Sequence, residues 1–183
     1  MGADTASGIS GDNPLQDFST AHAGILQHIG QLEALPAKLA AGAPDKPLQR
    51  EIAALVAFFN DEMYEHHEQE ERELFFELAR AAEAGDELEM VRSVCARLVR
   101  EHRQVERAWA GIEAGLKRLA RGKDADLDPA AIKKFAADYG SHARFEETMV
   151  LPLSAKILRD GDKAALAVKL HLRHSLGKLA AYV

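Results

Sequence analysis

The chain has 183 residues, of which 47% are hydrophobic, which is enough apolar material for one packed domain. Its formal net charge of −6 and the lack of a Lys/Arg block argue against nucleic acid or anionic lipid as the main partner. The single cysteine, Cys95, excludes an internal disulfide, and the longest apolar run, Ile52 to Phe59, is too short to span a membrane, so we predict a cytoplasmic protein without membrane contact.

Residues 1–13 are small and polar, which predicts a flexible lead-in to one domain over residues 14–183. Apolar residues then recur at spacings of three and four, which is typical of helices and not of strands. The predicted helix ends are marked by Gly42, Gly85, Gly122 and Gly161, and the starts by Asp45, Pro47, Asp128, Pro129 and Asp162. The five predicted helices cover residues 14–41, 46–84, 87–121, 128–159 and 162–180.

Two prolines interrupt this pattern. Pro36 lies inside the first predicted helix and Pro152 inside the fourth, so we expect a kink or an early end at each. The connections between helices are short, which makes consecutive helices antiparallel neighbours. The predicted fold is therefore all-α, an up-down-up-down four-helix bundle with an additional C-terminal helix.

A His-x-x-x-Glu-Glu motif occurs twice, over residues 66–75 and 142–151, and each copy ends in an apolar pair. A phenylalanine lies seven residues before each histidine, at Phe59 and Phe135. Residues spaced by four or seven share one face of a helix, so the histidine and first glutamate of each copy face the core. Buried carboxylates are normally paired or bound to metal, and imidazole with carboxylate makes a pair of metal ligands.

The first and third predicted helices also repeat when His22 is placed over His102. The matched positions are Ile25 with Val105, Ile29 with Trp109, Leu32 with Ile112, Glu33 with Glu113, and Leu39 with Leu119. The sequence thus predicts two copies of one helical hairpin. At about 1.5 Å per residue, the rise from His22 to Gly42 matches that from Pro47 to His66, which brings these two histidines level. The same reasoning levels His102 with His142.

Four imidazoles and two carboxylates in one layer suit a pair of first-row transition-metal ions. With these residues the sequence closely resembles the hemerythrin-like, His-His-Glu cation-binding family from Leu15 to Leu158. The resemblance implies a non-haem centre of two iron ions, bridged by the carboxylates and an oxo or hydroxo group, although zinc or manganese suits the same ligands. The ligands that it implies are His22, His66, Glu70, His102, His142 and Glu146.

One position departs from the oxygen-carrying branch of that family, which has a fifth histidine four residues after the lone histidine of the third helix. Glu106 stands there, and we expect it either to coordinate one iron, favouring oxidation over reversible O2 carriage, or to hydrogen-bond to a ligand. The pattern is similar to the symmetric four-His, two-Glu branch, which includes proteins that repair damaged iron centres and handle nitric oxide.

The resemblance implies a protein that binds or senses a small diatomic ligand, O2 or NO, as its partner. Two alternatives stay open at this point: an enzyme or repair factor that uses the irons for redox chemistry or iron donation, and a helical interaction module whose metal is structural. The sequence also leaves open whether the chain is an enzyme and whether it forms a homodimer.

Several other residues are interpreted by turn geometry. Tyr139, one turn before His142, is predicted to pack in the core or to hydrogen-bond to a ligand, and Cys95 to be a small buried residue. The histidines predicted to lie at the surface are His28, His67, His171 and His174.

The duplication predicts that Glu70→Ala and Glu146→Ala do similar damage, because each would remove one carboxylate bridge between the two ions. We expect either variant to retain at most one iron per chain, as measured by metal analysis after anaerobic reconstitution. Because His28 and His67 are predicted to lie at the surface, His28→Ala and His67→Ala are the controls and should leave the iron content unchanged. One glutamate variant with full iron content beside one without iron would contradict the two-fold repeat of the site.

Overall fold

A computed structural model describes residues 13–40 and 42–180, with side chains described up to residue 172. The predicted lead-in falls on residues 1–13, of which all but Asn13 lie outside the described residues. Within these ranges the regular structure is entirely helical, which confirms the predicted class. None of the helices in the described part of the chain is both long and apolar enough to cross a membrane.

Five helices follow one another. Three of them are uninterrupted: the first, α1 (Pro14–Leu39), the third, α5 (Asp86–Ala120), and the fifth, α8 (Asp160–Ala180). The second and fourth are each divided into shorter α-helices by π-helical turns. The second helix consists of α2 (Lys46–Phe58), a π-helical turn (Phe59–Met63), α3 (Tyr64–Gln69), a π-helical turn (Glu70–Leu74) and α4 (Phe75–Ala81). The fourth consists of α6 (Pro129–Phe145), a π-helical turn (Glu146–Val150) and α7 (Leu151–Ile157).

The helix starts follow ordinary capping chemistry. The Asp45 carboxylate accepts a hydrogen bond from the backbone N–H of Leu48 at 2.9 Å, and Asp128 accepts one from Ala130 at 2.8 Å. After the third helix, Gly122 has a φ of 69°, a conformation that favours glycine. These ends agree with the sequence prediction.

The prediction failed at the start of the fifth helix. Gly161 does not end the fourth helix, because the chain leaves helical geometry already at Leu158 and the fifth helix begins at Asp160. Asp162 is therefore not the residue before the helix but lies in its first turn, where its carboxylate accepts a hydrogen bond from the backbone N–H of Arg159 at 3.0 Å.

The first four helices share one core, with the third helix packed against both the second and the fourth, and the fourth against the first. A layer of histidine and glutamate divides this core into two apolar clusters. One cluster is centred on Phe59, Trp109 and Phe135, whose ring centroids lie 4.6–5.8 Å apart. The other contains Phe18, Leu98 and the inner face of the fifth helix. Apolar packing on both sides holds the polar layer away from water.

The fifth helix is attached to the bundle by Leu166 and Leu170, which are buried, and by a charged network around Glu77. Lys169 donates to one Glu77 oxygen at 2.6 Å and Arg80 to the other at 2.8 Å. Burial would raise the pKa of Glu77, but these two cations hold it below its ordinary value. The network thus ties the fifth helix to the second.

Replacing Glu77 by Gln should loosen the fifth helix without unfolding the bundle, because it removes the charge that Lys169 contacts. A charged hydrogen bond of this partly exposed kind contributes about 1 kcal/mol, so amide hydrogen exchange over residues 160–172 should become about fivefold faster. Asp138→Asn, which removes a pair with Lys134 inside the fourth helix, serves as the control. Equal exchange in the two variants would contradict the assigned role of Glu77.

Candidate metal centre

The structure brings all six predicted ligands into one buried layer. His22, His66, Glu70, His102, His142 and Glu146 are each at most 3% exposed. They come from all four helices of the bundle, with the lone histidines on the first and third and the His-x-x-x-Glu pairs on the second and fourth. The layer is therefore the meeting point of the two halves of the repeat.

The two carboxylates lie between two pairs of histidines. On one side, His66 Nε2 is 3.4 Å from Glu70 Oε1, and His22 Nε2 is 2.6 Å from Glu146 Oε2. On the other side, His102 Nε2 is 3.2 Å from Glu70 Oε2, and His142 Nε2 is 3.6 Å from Glu146 Oε1. Each glutamate thus directs one oxygen to each histidine pair.

The inward-facing atoms of this layer lack hydrogen bonds of ordinary geometry within the described structure. The atoms concerned are Nε2 of His22, His66, His102 and His142, Oε2 of Glu70 and both carboxylate oxygens of Glu146. Buried polar atoms are nearly always satisfied, so a convergent set without partners requires an explanation. Metal ions supply one, since imidazole and carboxylate without thiolate are the ligands of iron, zinc or manganese. The residues present therefore fit a metal centre.

Three of these histidines are also hydrogen-bonded through their other ring nitrogen, Nδ1, to carboxylates that lie outside the layer. Nδ1 of His22 donates to Glu147 at 2.8 Å, and Nδ1 of His102 donates to Glu71 at the same distance. Nδ1 of His142 donates to Glu101 at 3.3 Å. Because a carboxylate accepts, Nδ1 carries a proton in each ring, and Nε2 is the nitrogen left to bind a metal once any proton on it is released.

Sequence reasoning missed this role of Glu71 and Glu147, although the signal was visible. They are the second glutamates of the duplicated motif, and each reaches across to the lone histidine of a different helix. Within the described residues, His66 Nδ1 has no such partner.

His67 was predicted to be exposed, and this prediction is wrong, since the side chain is 1% exposed. The π-helical turn Phe59–Met63 adds one residue to the second helix and rotates the following side chains by about 100°. His67 is thereby brought round to the face of Phe59. Its Nδ1 donates to Glu106 at 3.1 Å, and its ring stacks on that of His102 with centroids 4.1 Å apart.

Glu106 lies beside the layer, and among the described residues it is not part of any set that could hold a metal. Arg103 donates to both of its oxygens at 2.7 Å, and one of them also accepts from His67. Glu106 thus hydrogen-bonds to His67, which is not one of the six predicted ligands, and both expectations for Glu106 stay predictions.

The remaining candidates lie apart from the layer or add little to it. His28 is half-buried and stacks on Phe58, and His171 is exposed. The side chain of His174 falls outside the described residues. Cys95 is half-buried, and burial raises the pKa of its thiol to about 11. Tyr139 is fully buried, with a hydroxyl group that has no hydrogen-bond partner among the described residues.

The electrostatics of the metal-free layer show which groups compete with a metal. Burial lowers the pKa of His22 and His102, but the Glu146 and Glu70 carboxylates raise them to about 9 and about 10. Burial and the neighbouring Glu146 raise the pKa of Glu70 to about 7. Burial also raises the pKa of Glu146, but His102 and His22 hold it well below its ordinary value. Protons on His22 and His102 thus balance the carboxylates, and metal binding must release them.

The other buried histidines behave in the opposite way. Burial, together with neighbouring His22, lowers the pKa of His66 well below 6.5. Burial lowers the pKa of His67 to about 3 despite the hydrogen bond to Glu106. Both rings are therefore neutral at pH 7.

Comparisons with known proteins agree with this site. The family described as Hemerythrin HHE cation binding domain matches residues 13–154. An uncharacterized protein of Haemophilus influenzae is 22% identical over 142 residues, which cover 75% of this chain and 77% of that protein. The family match spans the whole polar layer and ends before the fifth helix.

The metal-free protein should be most stable near pH 6.5. His22 and His102 have raised pKa values, so their stabilisation is complete below 6.5 and is lost as the pH rises towards 9 and 10. His66 and His67 have lowered pKa values, so the folded state is favoured by these two groups above pH 6.5 and loses stability as the pH falls below it. The raised pKa of Glu70 adds stability as the pH falls, but this single group does not offset the stability lost at both His66 and His67.

Thermal melts of the chelator-treated protein from pH 4.5 to 10 measure this dependence. The metal-loaded protein is the control, and its melting temperature should be higher and flatter across neutral pH, since bound histidines do not titrate. Identical melting curves for the two forms would show that the layer does not bind metal.

Proposed function

This chain belongs to the hemerythrin HHE cation-binding family, and we propose from that membership and from the site that it holds two iron ions and binds or senses a small diatomic ligand, O2 or NO. One ion would lie with His22 and His66 and the other with His102 and His142. Glu70 and Glu146 would bridge them. The proposal includes a cytoplasmic location, in keeping with a single cysteine and no disulfide.

The main support for two ions is the orientation of Glu70 and Glu146. Each directs one oxygen to one histidine pair and the other oxygen to the opposite pair, at 2.6–3.6 Å from the nearest Nε2. A single ion would not need both carboxylates to divide their oxygens in this way. The site is therefore interpreted as a two-ion centre, and the absence of thiolate favours iron, with zinc and manganese as the competing metals.

The protein would orient the ligands of such a centre and exclude water from it. Outer carboxylates orient His22, His102 and His142 before any metal arrives, which lowers the reorganisation that binding requires. Apolar clusters above and below the layer exclude water. Bound iron would supply redox activity and an exchangeable coordination position.

Burial favours a diatomic ligand over an organic substrate. The six predicted ligands are at most 3% exposed, so a molecule with several heavy atoms cannot contact them without displacing core side chains. O2 and NO are small and nearly apolar and can diffuse through thermal openings of a helical core. The same burial weighs against iron donation, which requires the ion to leave.

Anaerobic reconstitution with iron should give two iron ions per chain. After oxidation, an oxo-bridged pair absorbs in the near-ultraviolet, whereas the zinc-loaded protein does not. Addition of NO to the di-ferrous protein should produce a new visible band with at most one NO bound per iron. His142→Ala should lose at least one iron, and His28→Ala serves as the matched control.

Two outcomes would contradict the proposal in different ways. Less than one bound metal after reconstitution would remove the two-ion centre. Two irons without any spectral response to NO or O2 would leave a structural metal site and exclude a diatomic ligand.

A further inference from the structure

We propose that His67 is a further metal ligand, which makes the two metal positions unequal, with three imidazoles at one and two at the other. The inference rests on the proposed two-ion centre and goes beyond the six ligands that the family resemblance implies. It changes a symmetric site into an asymmetric one.

The His67 ring lies in the same kind of environment as the predicted ligands. The side chain is 1% exposed, and its Nε2 has no hydrogen-bond partner among the described residues. Its Nδ1 donates to the Glu106 carboxylate, just as Nδ1 of His22, His102 and His142 each donate to an outer carboxylate. His67 therefore has the same arrangement as three of the predicted ligands: one nitrogen held from outside and one free inside the layer.

His67 also lies close to two of the predicted ligands, His102 and His142. Ring nitrogens of His67, His102 and His142 lie within 4.8 Å of one another, which is close to what one ion can span. The His67 ring stacks on His102 at 4.1 Å and meets His142 edge-on at 5.6 Å. Because an imidazole lone pair lies in the ring plane, binding one ion together with His102 requires the His67 ring to turn out of the parallel stack.

The two halves of the repeat differ at the positions of His67 and Glu106. Alignment of His66 with His142 places Ala143 opposite His67, and alignment of His22 with His102 places Leu26 opposite Glu106. Ala143 is buried but offers no ligand atom, and Leu26 is 41% exposed and offers no carboxylate. The place that the repeat relates to this pair, at Ala143 and Leu26, thus lacks both the imidazole and the carboxylate that would orient it. His67 and Glu106 are a pair found on one side only.

The coordination numbers follow. The ion at His102 and His142 would have three imidazoles, two carboxylate oxygens and a bridging oxygen, which complete an octahedron. The ion at His22 and His66 would have two imidazoles and the same three oxygens, which leaves one position open. An external diatomic ligand would therefore bind on the side of His22 and His66.

Proton NMR of the protein loaded with two Co2+ ions tests the ligand count directly. An imidazole bound through Nε2 keeps its Nδ1 proton, which gives a strongly shifted signal that is present in H2O and absent in protein prepared in D2O. We expect five such signals in the unsubstituted protein. His67→Gln, whose amide can still hydrogen-bond to Glu106, should lose one of the five, and His28→Gln should keep all five.

The unsubstituted protein alone decides the matter if His67→Gln does not fold. Four exchangeable signals with two bound Co2+ ions would overturn the inference and leave the two-ion centre intact. An unchanged set of five signals in folded His67→Gln would also overturn it. Fewer than two bound ions in the unsubstituted protein would overturn the two-ion centre and the inference together.

Discussion

The structure depends on two glutamates that lie inside a helical bundle at about 1% exposure. A carboxylate in such a place is unfavourable unless positive charge stands beside it. In the metal-free state, protons on His22 and His102 provide that charge, which is why the pKa values of these rings are raised. Two divalent ions would provide it better, because they also satisfy the Nε2 atoms that no hydrogen bond reaches.

The rest of the fold positions this layer. Two apolar clusters close it from both ends, and a second ring of carboxylates holds the imidazoles from outside. These outer glutamates are only partly buried, and Arg103 pairs with two of them, Glu71 and Glu106. On this side the carboxylates of Glu71 and Glu106 therefore lie between the imidazole rings and the Arg103 guanidinium. Such an arrangement orients ligands without placing an unpaired charge in the core.

The sequence predicted the helices and the layer of four histidines and two glutamates because both follow from helical spacing, and the family resemblance implied that these six residues are ligands. Spacings of four place His66 with Glu70 and His142 with Glu146, and the repeat aligns His22 with His102. What it could not predict depends on departures from that geometry. The π-helical turn Phe59–Met63 has no composition signal, so His67 was assigned to the surface when it lies inside. The prediction based on Gly161 was wrong because the fourth helix ends at Ile157, two residues before the predicted end at residue 159.

Two ions bound by Glu70 and Glu146 can be located by diffraction from crystals of the iron-loaded protein, measured on both sides of the iron absorption edge. We expect two anomalous peaks in the polar layer, one beside His22 and His66 and the other beside His102 and His142, with both carboxylates between them. A single peak, or peaks outside this layer, would contradict it.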